Sequence, residues 1–299
     1  MDILYSFIIP HKNSPKLLER CIQSIPYRED IQIIVVDDNS SSDIVNWENL
    51  SIINQENVEL ILNKDNLGAG HARNIGIEHA HGKWLLFPDA DDYFLNGFLD
   101  ILDKYKDMPE DVLFYNVDIS PTYGKRLSRY KKALQEFNHP DLSSDKLKFY
   151  SLNAPWVRMV KKSMIDKYHI RYEEVLHGND IFFSFQVGYF AKSIKAESKA
   201  IYFYYYNPKS LTNVKHNINK ELISIQHLLQ ANEFRKFIGH PEWNSSLLKR
   251  FLSFYKKYGI GYTYQVYKAY RKNRKRIIGN KLLFVNSILQ KQKLESHNL

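Results

Sequence analysis

The run IQIIVVDD at residues 31–38 is almost unbroken Ile and Val and ends in two carboxylates. A strand whose consecutive side chains are apolar must be covered on both faces, as a central strand is in a sheet sandwiched by helices. Its acids then fall where the strand gives out. Comparable units surround it: ILYSFIIP at 3–10, ended by Pro10, VELILNKD at 58–65, followed by NLGAG, and KWLLFPDADD at 83–92. Between them Leu17, Leu18, Cys21, Ile22 and Ile25 fall on one helical face of Pro15–Ile25, and residues 41–50 and 71–81 also read as helices. This rhythm predicts an α/β fold with a mostly parallel sheet flanked by helices. Three of the strands deliver acids or glycines to one sheet edge, where open α/β sheets place ligands.

Farther along, residues 95–106 read as a helix, 111–119 as a strand and 120–150 as a polar excursion or flap. An apolar register returns around Trp156, and residues 177–191 read as an aromatic helix entered through a polar turn. IYFYYYN at 201–207 has the content of a strand, with a helix as the alternative, and the pattern from Lys220 onward is helical.

With 299 residues, 44% of them hydrophobic, the chain can bury a substantial core and is no disordered tail. One large domain with an appendage, or two modest domains, fit that length. The net charge of +9 is unevenly placed. From Trp243 onward there are 13 Lys/Arg against Glu295 alone, a net of +12, so residues 1–242 carry −3. The lone Cys21 excludes an intramolecular disulfide scaffold or a multi-cysteine metal site and reads as core packing in a reducing compartment. Asp2 stands where a signal peptide wants basic residues, and the apolar run at 3–9 is too short to span a bilayer. Secretion and membrane insertion are therefore not expected.

Asp89-Ala90-Asp91-Asp92 follows an apolar strand. Three carboxylates in four residues repel one another unless solvent, a basic group or a cation offsets them, so a divalent metal carrying phosphate oxygens explains the cluster, against an exposed acidic turn with Asp92 as a helix cap. Asp37-Asp38-Asn39-Ser40 offers hydrogen-bonding groups for a nucleobase or ribose, against an Asx turn. Residues 66–74, NLGAGHARN, supply close backbone approach and the cation Arg73, yet match neither the GxGxxG nor the GxxxxGK spacing. Asp180, in HGND, suits a general base that takes a hydroxyl proton, against an N-cap. His177 and His216 show no zinc spacing.

FIIPHKN at 7–13, IIVVDDNS at 33–40, NLGAGHARNIGIEHAHG at 66–82 and LLFPDADD at 85–92 together resemble the ordered landmarks of a family 2 glycosyltransferase with a GT-A fold. SLNAPWVRMVKKSMI at 151–165, GNDIFF at 178–183 and YYYNPKSLT at 204–212 resemble its acceptor-side half. The likeness covers residues 3–215. It implies a catalytic domain at 1–215, with a nucleotide-sugar half at about 1–119 and an acceptor half at about 120–215, then a helical basic extension at 216–299. By position it places Pro10 beside the nucleotide, Asp38 on the base and Arg73 near the nucleotide. It puts Asp89 near ribose or metal, with Ala90 between it and the metal ligand Asp91. Asp180 becomes the catalytic base, with Trp156 and Asn179 on the acceptor side, and Lys209 and Ser210 approach the diphosphate. The family's common Glu-Asp pair is Asn179-Asp180 here, and Lys12 stands where an aromatic is frequent. The activity implied is inverting transfer of a hexose or N-acetylhexosamine, with Mg²⁺ or Mn²⁺, from a nucleotide-diphosphate sugar, UDP-linked, to a saccharide or lipid-linked saccharide in surface polysaccharide or lipopolysaccharide synthesis. A noncatalytic sugar-binding module is the alternative.

Residues 255–276, YKKYGIGYTYQVYKAYRKNRKR, mix cations with aromatics. Nucleic acid is the less expected partner of such a segment, and an anionic membrane reached through residues 255–299 the more expected one, with a merely solvated basic helix or a subunit contact in a homo-oligomer also open. The chain is thus expected in the cytoplasm, peripheral on the inner face of the cell membrane.

Overall fold

The computed structural model describes residues 2–120, 154–175, 177–207 and 217–296, with side chains described as far as residue 279. The chain divides into two compact units, Met1–Pro208 and Lys209–Leu299. In the first, the Ile/Val run forms strand β2 (Ile31–Asp38), and all but one of its residues are buried. It lies parallel to β1 (Tyr5–His11) on one side and β3 (Val58–Asn63) on the other, while β1 also pairs in parallel with β4 (Trp84–Leu86). The four strands therefore end at the same edge, as the alternation of strands and helices predicts.

With β5 (Tyr93–Phe94), β6 (Val112–Ile119), β7 (Arg158–Lys161) and β8 (Ile194–Tyr204), the sheet has the order β3-β2-β1-β4-β7-β6-β8-β5. β7 runs antiparallel to β4 and β6, and β5 antiparallel to β8, so six of the eight strands share one direction. Helices α1 (Pro15–Gln23), α2 (Ala69–His79), α3 (Phe98–Lys104), α4 (Lys162–Lys167) and α5 (Asp180–Phe190) belong to this unit. Leu18, Cys21 and Ile22 form the buried face of α1, and burial pushes the Cys21 thiol up in pKa, in keeping with a packing role.

Three local expectations need correction. Residues 41–50 form a turn and a short 3-10 segment, Trp47–Asn49, instead of a helix, because Asp37, Asn13 and Ser41 side chains take backbone amides there and compete with helical pairing. The strand foreseen at 83–92 stops at Leu86, and the acids occupy a turn closed by the Asp92 amide donating to the Asp89 carbonyl at 3.0 Å. The helix foreseen from residue 95 starts only at Phe98, after β5 and a turn. The flap foreseen at 120–150 lies outside the described residues beyond Ser120.

The second unit contains α6 (Ile218–Phe237) and α7 (Leu247–Ser296). Asn217 caps α6 by accepting from the Lys220 amide at 2.9 Å, and α7 is broken at Gly259, whose φ is 79°.

Two glycines set how α2 meets its surroundings. Gly68, at φ 93°, turns the chain into the helix in a region that disfavours other residues. A Cβ on Gly70 would stand 2.1 Å from the Glu173 carbonyl oxygen and 2.8 Å from the Asn179 Cβ, so the segment leading to Asp180 lies directly on this glycine. Close approach at Gly70 thus serves chain packing, not the ligand contact that the sequence pattern raised. Gly70→Ala should lower the unfolding free energy by about 1–3 kcal/mol in urea denaturation; an unchanged midpoint would mean that segment 173–179 does not rest there.

Candidate functional site

At the end of β1 and β2, two adjacent acids are used differently. Asp37 is 3% exposed and locked into the fold. His11 meets it through Nδ1 at 2.8 Å, and the Ser40 amide donates to it at 2.8 Å. The His11 Nε2 accepts the Ser14 amide at 3.1 Å, which fixes the tautomer with the proton on Nδ1, facing Asp37. Burial raises the Asp37 pKa, but the hydrogen bonds from His11 and Ser40 outweigh it and hold the carboxyl below its ordinary value. Asp38 is 4% exposed and differs from its neighbour in having an oxygen to spare. Its Oδ2 accepts the Gly68 amide at 3.0 Å and faces the Lys12 ammonium at 3.7 Å. Its Oδ1 is buried without a hydrogen-bond partner among the described residues, an arrangement that costs free energy unless a donor arrives. Pro10, buried in β1 opposite Val36, is next to this corner in sequence and strand register.

The acidic turn after β4 brings Asp89, Asp91 and Asp92 together, with one ligand atom of each within 4.8 Å of the others. Asp92 is not the exposed helix cap that its position allowed. It is fully buried, its Oδ2 accepting the Tyr202 hydroxyl at 2.8 Å and its Oδ1 the Tyr205 amide at 2.8 Å. The Tyr202 hydroxyl in turn accepts the Asp89 amide at 2.9 Å, tying the turn to β8. Burial, then the charges of Asp89 and Asp91, hold the Asp92 pKa well above the carboxylate range. Asp91 is raised by burial and by Asp89, against the Asn207 side-chain amide, which donates to its Oδ2 at 2.9 Å. Both shifts have burial as their first cause and the neighbouring carboxylates as their second. Ala90 is buried between them.

Arg73 joins this turn to the other half of the site. It is 4% exposed, donating to Asp89 Oδ1 at 2.5 Å and to Asn179 Oδ1 at 3.2 Å, with its guanidinium 5.2 Å from the centre of the Tyr172 ring. Tyr172 is itself stacked on Phe183 of α5 at 3.9 Å between centroids. Asn179 precedes α5, and Asp180 is its first residue. Burial pushes the Asp180 carboxyl up to about 6, against the pull of Arg73. One guanidinium therefore spans the acidic turn and the residue next to Asp180.

Trp156, expected on the acceptor side, is packed against β8. It is 6% exposed and stacked on Tyr202 at 5.5 Å, so it supports the tyrosine that holds Asp92. Lys209 and Ser210 lie outside the described residues. Sequence reasoning missed Arg20, Tyr172, Tyr202 and Asn207. Arg20 donates to the Asp91 carbonyl at 2.6 Å and lies over the rings of Tyr93 and Tyr205, 4.9 and 4.1 Å from their centres. Its only signal was a cation in the last turn of a helix, at a distance of 71 residues from its partner.

Relatives place this geometry. Of the curated proteins it resembles, the chain is 25% identical over 213 residues to "Putative glycosyltransferase EpsH" of Bacillus subtilis, covering 67% of this chain and 60% of that one. It is 27% identical over 178 residues to the "GalNAc(5)-diNAcBac-PP-undecaprenol beta-1,3-glucosyltransferase" of Campylobacter jejuni, covering 58% of this chain and 56% of the other. The chain thus spans a little under two thirds of the length of either. In fold it is similar to Staphylococcus aureus TarS 1–349, solved with UDP-GlcNAc, at a TM-score of 0.60 and 19% identity, over 76% of this chain and 67% of that one. That likeness identifies the sheet and its flanking helices as a GT-A fold. The family model described as "Glycosyl transferase family 2" matches residues 6–169, which include β1 to β4, the acidic turn and Arg73. The chain belongs to glycosyl transferase family 2.

Proposed function

We propose that this glycosyltransferase moves a hexose or N-acetylhexosamine from a UDP-sugar to a saccharide hydroxyl with inversion at the anomeric carbon. The observation that carries the reading is Arg73, whose two terminal nitrogens reach Asp89 and Asn179 and so set the acidic turn beside the residue that precedes Asp180. The acceptor hydroxyl gives its proton to the Asp180 carboxylate as its oxygen attacks the anomeric carbon. The bond from that carbon to the diphosphate breaks, and its electron pair leaves with the phosphate oxygen. Arg73 holds the donor end and the base end in register.

The unpartnered Asp38 Oδ1 suits an N–H donor on a nucleobase edge, and TarS, of the same fold, was solved with UDP-GlcNAc and with UDP. Asp89 and Asp91 fit a divalent cation, since the pKa of Asp91 is raised by burial and by Asp89 while both oxygens of Asp92 are taken by β8 and the residue after it. Asp89 and Asp91 would hold such a cation, Mg²⁺ or Mn²⁺, whose chemistry would be to offset charge on the departing diphosphate. The Campylobacter jejuni relative is named for an undecaprenol-diphosphate-linked acceptor, which favours a lipid-linked saccharide in surface polysaccharide synthesis as the acceptor here.

Asp180→Asn should bind UDP-sugar as wild type does and lose about 10²- to 10⁴-fold in transfer rate. A base must be ionised, so with its pKa at about 6 the wild-type kcat/KM should fall about tenfold per pH unit below that value and level above it. A full rate in the variant, or a wild-type profile with no acid limb, would refute the role. Asp91→Asn should weaken Mn²⁺ binding at least about tenfold when free Mn²⁺ is followed by electron paramagnetic resonance in the presence of UDP; unchanged binding would remove Asp91 from the metal.

A further inference from the structure

Helices α6 and α7 pack on each other through Leu222 and Ile225 of the first and Phe254, Val266, Tyr270 and Ile277 of the second. That contact explains one face of α7. Past the break at Gly259 the chain folds back, with Tyr267 and Tyr270 at 5.8 and 6.1 Å from Phe251 between ring centroids, and each half of α7 leaves an apolar stripe exposed. Before the break at Gly259, Leu248, Leu252 and Tyr255 are 69%, 48% and 52% exposed. After it, Ile260, Tyr264 and Tyr267 are 76%, 64% and 43% exposed. Each set has the spacing i, i+4, i+7, so each makes one continuous stripe about two turns long. The second stripe continues at i+11 into Arg271, with Lys268, Arg274 and Lys275 exposed beside it. Residues 247–279 contain ten Lys/Arg and no Asp or Glu.

We propose that the two exposed stripes of α7 lie together on an anionic lipid surface, with Leu248, Leu252, Tyr255, Ile260, Tyr264 and Tyr267 entering the interface and the cations meeting acidic headgroups. The apolar and cationic parts each exclude a competitor. Nucleic acid pairs its phosphates with Lys/Arg and stacks its bases on Tyr, but Leu248, Leu252 and Ile260 have no π face to offer a base. A second copy of this chain would satisfy the apolar stripe while setting one uncompensated cationic surface against another. A lipid interface takes aliphatic and aromatic side chains together and supplies the opposite charge. Among the described residues no helix is long and apolar enough to cross a membrane, so the contact is one of lying on the surface.

The test is sedimentation of the full chain with vesicles of phosphatidylcholine alone or with roughly one third phosphatidylglycerol, the anionic fraction that gives a surface potential. Wild type should sediment with the anionic vesicles only, and less as salt rises from about 50 to about 500 mM, since screening shortens the reach of the headgroup charge. Arg271→Gln with Lys275→Gln should lower the partition coefficient about 30-fold. Leu248→Ser, Leu252→Ser and Ile260→Ser combined should lower it at least about tenfold and, because all three side chains are exposed, leave the helical circular dichroism unchanged. Wild type that stays in the supernatant at low salt, or a triple variant that binds as wild type does, would overturn the proposal. Displacement from vesicles by a single-stranded oligonucleotide with tighter binding to it would assign the face to nucleic acid, and self-association lost in the triple variant would assign it to a second copy; each of these outcomes overturns it too.

Discussion

A buried guanidinium is tolerable only where anions surround it, and buried carboxylates only where a cation or donors do; at Arg73 each condition meets the other. Arg73 is 4% exposed and donates to Asp89, while Asp91 and Asp92 crowd the same turn. Taking away the Arg73 charge would leave Asp89 facing two further acids and would leave Asn179 without the donor that sets it. The stacked Tyr172 and Phe183 behind the guanidinium, and Gly70 beneath the 173–179 segment, hold that cation at the required depth. Much of the fold around the site is thus arranged to keep unlike charges close at the parallel edge of the sheet.

The parallel edge itself was legible in the chain. Unbroken Ile/Val in β2 demands two covered faces, and acids placed at the ends of such strands must emerge together once the strands run parallel. Arg73, Asp38, Asp89, Asp91, Asn179 and Asp180 followed from that placement and from resemblance to family patterns. Short, non-alternating strands were not legible: β5 has two residues and β7 four, too few to carry a period. Residues 41–50 misled because Ile44, Val45 and Trp47 are spaced acceptably for a helix, while the polar side chains that interrupt it act through hydrogen bonds that spacing does not show.

The supporting partners were hidden for a different reason. Tyr202 meets Asp92 from 110 residues away, and Asn207 meets Asp91 from 116, so no local pattern joins them. Trp156 was legible as part of an apolar register, while its stacking on Tyr202, which leaves it 6% exposed, was not. Charge is uneven: the excess of positive charge belongs to residues 243–299, and the first unit gathers acids at its site.

In the proposed mechanism one carboxylate, Asp180, deprotonates the acceptor for a single direct displacement. The stereochemistry of the product reports on that displacement independently of any variant. Proton NMR of the sugar formed from an α-linked UDP-sugar, recorded as transfer proceeds, should show the β anomer from the first turnover. An α-linked product would contradict a single displacement and with it the assignment of Asp180 as the base.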